Sequence, residues 1–73
     1  MLEQILNKSV DELEISVRLA YLLDIAKIRT IRDLVQQHES DLLKFKNYCN
    51  KKRLKEIKEV LAVFGLTLGM KLE

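Results

Sequence analysis

The chain has 73 residues, 48% of them hydrophobic, with no proline, two glycines and a net charge of +2. That length allows one small domain, which buries only about 60% of the surface its unfolded chain exposes; a second domain and a deep catalytic cleft are excluded on size. The composition argues against disorder and the small charge against a non-specific coat on nucleic acid, while Cys49, the single cysteine, excludes an internal disulfide and suits a reducing cytosol.

In sequence order, Met1 to Lys8 contains an early acid and no long apolar run, so it reads as neither a secretory signal nor a membrane span. Ser9 precedes Asp11, Glu12 and Glu14, and a serine cap with carboxylates at the positive helix end predicts one turn over 9–13 and an exposed acidic patch. Ser16 caps a helix over 17–26, where Val17, Leu19, Ala20, Leu22 and Leu23 are apolar on more than one face, the pattern of a largely buried helix. Arg18 and Tyr21 interrupt that run and project together from one side. Thr30 caps a helix over 30–37 with Ile31, Leu34 and Val35 inward, and Ser40-Asp41 starts a shorter one over 40–45 with Leu42, Leu43 and Phe45 as its apolar side. Over 51–64, Leu54, Ile57, Leu61 and Phe64 recur at helical spacing, with Val60 beside them and Lys55, Glu56, Lys58 and Glu59 opposite. Gly65 falls where a left-handed cap is expected, and the tail over 65–73 alternates without a partner strand, so it reads as an extended segment packed on the bundle. The fold class is all-α, a compact bundle of four to five short helices.

The start of the last helix carries the main functional signal. Asn50-Lys51-Lys52-Arg53 places three cations at the positive end of a helix macrodipole, where they cost a few tenths of a kcal/mol or more. A docked phosphate relieves that cost, because N–H groups and cationic heads then converge on one anion. The other reading is a solvated basic turn, offset by pairs of Lys52 with Glu56 and Lys55 with Glu59. With the loop before it, this start describes a helix-hairpin-helix-like element, in which Asn50 takes the turn position with positive φ. Arg18 has two readings as well, an exposed contact or an ion pair with Glu14 four residues earlier. His38 and Cys49 lack companions at ligand spacing, so no metal or other cofactor is expected. No catalytic constellation appears, and the protein is expected not to be an enzyme.

The segments Val10 to Arg18, Ile31 to Gln36, Asp41 to Lys44, Lys51 to Ala62 and Gly65 to Glu73 together resemble, in order, the C-terminal domain of the bacterial RNA polymerase alpha subunit. The resemblance implies a SAM-like helical domain tethered to an alpha N-terminal assembly domain, through which it joins the other polymerase subunits. It further implies binding to double-stranded promoter DNA at A·T-rich minor grooves, contacts with sigma factor and transcription activators or regulators, and a cytoplasmic, nucleoid-associated setting. Residue by residue, Arg18 sits at the family's principal DNA-contacting arginine and Lys52 at a phosphate-meeting lysine, with Lys51 beside it. Tyr21 replaces the family's usual asparagine, Asn50 its hairpin glycine, and Arg53 its serine. The implied DNA face is therefore Arg18, Tyr21, Asn50, Lys51, Lys52 and Arg53, with Arg18 and Arg53 both exposed. Asp11, Glu12 and Glu14 match the acidic patch that faces sigma factor. The alternative function is a protein-interaction domain that docks regulators and binds little DNA. A helix-hairpin-helix accessory domain of a repair protein is a third reading, opposed by the acidic patch and the tail.

Overall fold

Side chains that cap helix starts set most of the boundaries in the computed structural model, which describes residues 2–71. Ser9, Ser16, Thr30 and Asn50 each adopt extended backbone and accept the N–H of Asp11, Leu19, Asp33 and Arg53, respectively. Such caps supply partners for N–H groups that a helix start leaves open. The elements are α1 (Leu2–Leu6), a single 3-10 turn (Val10–Glu12), α2 (Val17–Ile25), α3 (Ile31–Val35), α4 (Glu39–Leu43) and α5 (Lys51–Ala62). The bundle is all-α, and the only strand-like pairing among the described residues is an antiparallel bridge between Ser9 and Thr30. The last two residues of the tail lie outside the described residues.

Three of the five α-helices have only five residues, too few to persist alone in water, so a shared core holds them. Leu6, Leu19, Leu22, Leu23, Ile31, Leu34, Val35, Leu42, Ile57 and Leu61 are fully buried in it. The sequence does not signal α1, whose five residues are too few for a full amphipathic period. It is fixed tertiarily, by burial of Leu6 and by an ion pair of 2.6 Å between Glu3 and Arg32 on α3. A second cross-link, Lys58 to Glu39 at 2.7 Å, joins α5 to α4. At the start of α4 the Asp41 carboxylate accepts the His38 N–H at 3.0 Å; that bond, aided by the Lys44 charge, holds its carboxyl below the usual range.

Two helix ends turn through left-handed residues. After α2, Lys27 has φ 60°, with the Ile28 N–H on the Leu23 carbonyl and the Lys27 N–H on that of Asp24. After α5, Gly65 has φ 72° and the same pair of bonds runs from Leu66 to Leu61 and from Gly65 to Ala62. This cap ends α5 at Ala62, short of the expected 64, and carries Phe64 outward, so that it is 39% exposed. Val17 likewise stands in solvent at 86%, which leaves Leu19, Leu22 and Leu23 as the buried side of α2. The tail returns to the end of α3, where Gly69 donates to the Gln37 carbonyl at 2.8 Å and Met70 to that of Val35 at 2.9 Å. Gly69 has φ 74°, and a Cβ there would stand 2.8 Å from His38 Nδ1.

Candidate nucleic-acid interface

Helix α2 packs on α5, and their N-terminal turns share one groove. Arg18 enters from the first turn of α2 and Tyr21 from the next, both exposed. From the loop come Lys46 and Tyr48, and from the start of α5 come Asn50, Lys52 and Arg53. Among the described residues four cations line the groove, Arg18, Lys46, Lys52 and Arg53, and no carboxylate does. Lys51 is exposed beside it on the same helix turn. The tyrosines meet edge to face, with ring centroids 5.5 Å apart at 64°, and each keeps about half its surface open (56% and 42%).

Arg18 makes no ion pair among the described residues. The spacing that would pair it with Glu14 holds only within a helix, and Glu14 precedes the Ser16 cap. Its guanidinium is therefore available to an external anion.

Arg53 differs from the expectation. It is 8% exposed, its Nη1 donating to Ser16 Oγ and to Glu56 Oε1, each at 2.9 Å. Glu56 also accepts the Ser16 N–H on Oε2 at 2.7 Å and the Ser16 hydroxyl on Oε1 at 2.9 Å. A buried guanidinium needs such partners, since an unpaired charge at that depth is strongly disfavoured. The physical reason for the burial is helical rotation. Arg53 lies four residues before Ile57, on the stripe that Ile57 and Leu61 carry into the core. The resulting pin ties the start of α2 to the first turns of α5 and sets Arg18 relative to Lys52. It also occupies Glu56, so the pair of Lys52 with Glu56 is not formed and Lys52 stays exposed.

Asn50 also departs from the expected geometry. Its φ is −136°, extended rather than left-handed, and its side-chain oxygen accepts the Arg53 N–H at 3.1 Å. The preceding turn closes instead through the N–H groups of Tyr48 and Cys49, both on the Phe45 carbonyl. An asparagine that caps a helix avoids the left-handed cost, and the glycine-type hairpin is not needed. The N–H groups of Lys51 and Lys52 remain open to a ligand at the helix start. Burial pushes the Cys49 thiol up, against the opposing Arg53 charge, so Cys49 stays a neutral packing residue under the groove.

Sequence reasoning missed Lys46 and Tyr48, although a cation and an aromatic two residues apart, just before a basic helix start, are a readable signal. Asp11, Glu12 and Glu14 are all exposed, and none of them lines this groove. Glu12 pairs with Lys8 at 3.6 Å. No described helix is long and apolar enough to cross a membrane.

Known proteins place this geometry in context. The family model for the C-terminal domain of the bacterial RNA polymerase alpha chain matches residues 1–63. The protein is similar to the DNA-directed RNA polymerase subunit alpha of Syntrophus aciditrophicus (strain SB), with 53% identity over 72 residues, covering 99% of this sequence and 21% of that relative. It is similar also to the subunit alpha of Geobacter metallireducens, with 53% identity over 68 residues, covering 93% of this sequence and 20% of that relative. The chain thus spans about a fifth of the length of the curated relatives it matches.

Proposed function

Because the protein belongs to the family of C-terminal domains of the bacterial RNA polymerase alpha subunit, we propose that it serves transcription initiation as a module that binds upstream promoter DNA and docks regulators. In this reading it catalyses nothing itself, works in the bacterial cytoplasm and joins the other polymerase subunits through residues outside this sequence. The observation that carries the DNA half is the groove between α2 and α5, which, among the described residues, gathers three cations without an ion pair, Arg18, Lys46 and Lys52, and no carboxylate. Arg18 enters an A·T-rich minor groove, whose narrow width concentrates negative potential. Lys46, Lys51 and Lys52 meet phosphates, aided by the N–H groups at the start of α5, which the Asn50 cap orients. Tyr21 and Tyr48 border the arginine and offer hydroxyls or ring edges to the groove wall. Arg53 acts as a positioning residue, since its guanidinium is spent on Ser16 and Glu56.

The docking half rests on Asp11, Glu12 and Glu14, exposed carboxylates that repel DNA and suit a basic surface such as one on sigma factor or an activator. Titration of the protein with A·T-rich and G·C-rich duplexes at several salt concentrations tests the DNA half. About three neutralised phosphates give log affinity a slope near −3 against log salt, with the A·T duplex bound more tightly. Binding that ignores salt, or none at all, contradicts it and leaves regulator docking as the function. Charge reversal of Glu14 is expected to weaken binding to a basic partner protein and to leave DNA binding unchanged or slightly improved.

A further inference from the structure

The far end of α5 carries a second groove of about 440 Å³, walled by Leu13, Val60, Val63 and Phe64 and rimmed by Glu12, Glu14 and Glu59. Among the described residues its lining contains three carboxylates and no cation. Two of its walls are apolar groups left in water, Val63 at 79% and Phe64 at 39% exposure, where α5 ends ahead of the left-handed Gly65. The last turn of α5 holds no base, so the partial negative charge of its final carbonyls adds to that of the rim. Among the described residues Lys8 offsets Glu12, while Glu14 and Glu59 have no ion pair, and Lys55, one turn before Glu59, forms none with it.

We infer that this groove docks a basic amphipathic helix of a partner protein, whose apolar side chains enter between Leu13 and Phe64 and whose lysines or arginines meet Glu12, Glu14 and Glu59. Charge complementarity selects the occupant. A second copy of the protein would bring the same carboxylates against themselves, and DNA would be repelled outright, whereas a cationic helix neutralises the rim while its apolar face covers Val63 and Phe64. The inference rests on the docking reading of the acidic patch and adds to it an apolar half, carried by Val60, Val63 and Phe64 at and just past the end of α5, outside that patch.

The test is titration of the isotope-labelled 73-residue protein, followed by amide resonances, with a synthetic amphipathic helical peptide built only of leucine and lysine. The amides of Leu13, Val60, Val63 and Phe64 are expected to shift, and a leucine and glutamate counterpart is expected to leave them in place. Val63→Lys, at a side chain exposed enough to leave the fold unchanged, should weaken the leucine and lysine peptide at least tenfold, and Glu14→Lys should weaken it as well. If Glu14→Lys weakens binding and Val63→Lys does not, the groove is overturned while the acidic docking surface stands. If neither matters, both readings fall. Shifts at the same amides that grow with protein concentration, without peptide, would assign the groove to a second copy and overturn the proposal.

Discussion

The two ends of α5 carry charge of the sign that the helix itself disfavours. At the N-terminal end Lys51 and Lys52 face the positive pole of the macrodipole; at the C-terminal end Glu59 stands among exposed carboxylates, with no base in the last turn. Each mismatch costs about 0.3–1 kcal/mol, small terms that a domain of this size still registers. The ends differ in what surrounds the charge. The N-terminal end is polar and pinned, with Arg53 drawn inward to Ser16 and Glu56, whereas the C-terminal end is apolar and unpinned, with Val63 and Phe64 left in water. A polar cationic end suits phosphate, and an acidic apolar end suits a cationic protein helix. The contrast teaches that misplaced charge marks both surfaces, while the neighbouring side chains decide the class of partner.

The largest effect on this contrast comes from removing the pin. Arg53→Ala leaves Glu56 without its cation and opens the junction of α2 and α5, so stability is expected to fall by on the order of 2–3 kcal/mol. For a domain of this size that lowers the melting temperature by roughly 10 °C or more, measurable by circular dichroism. Replacing both partners, Arg53→Met with Glu56→Met, should recover most of the loss, because no charge is then left unpaired. A melting temperature indifferent to Arg53→Ala would return Arg53 to the surface.

Next in size is Arg18→Ala. It should reduce affinity for A·T-rich duplexes by on the order of 1–3 kcal/mol, with a smaller loss on mixed sequence and no change in melting temperature. Equal losses on both duplexes would make Arg18 another phosphate contact.

The smallest effects sharpen the comparison most finely. Lys52→Glu should raise stability by about 0.3–1 kcal/mol by complementing the N-terminal pole, yet it should abolish most DNA binding. Glu59→Lys should stabilise the other pole by a similar amount and leave DNA affinity intact. Thermal melts of both variants decide this, and destabilisation by either would remove the idea that these charges are held against the helix.

Much of the architecture is legible because it is written locally. Ser9, Ser16 and Thr30 precede apolar periods and cap where their positions predict, and Gly65 supplies the left-handed turn. What escapes the sequence depends on rotation and tertiary contact. The helical period runs on to Phe64, and only the cap at Gly65 shows that the helix has already ended. In Lys51-Lys52-Arg53 the three cations look alike, although Arg53 alone falls four residues before Ile57 and three before Glu56. Asn50 reads as a turn residue because it replaces a glycine, whereas the fold uses its side chain as a cap. Helix α1 leaves no local mark, since Leu6 and the ion pair of Glu3 with Arg32 hold it from outside.

Lys52 and Arg53 are neighbours at the head of α5 with opposite assignments, one to DNA and one to the core, and the salt dependence of binding separates them directly. Lys52→Ala is expected to lower the slope of log affinity against log salt by roughly one unit. The double variant Arg53→Met with Glu56→Met keeps the net charge and leaves no unpaired ion at the junction, and it is expected to leave the slope unchanged. A drop of one unit in the double variant, matching that of Lys52→Ala, would show Arg53 meeting phosphate and contradict the assignment of Arg53 as a pin.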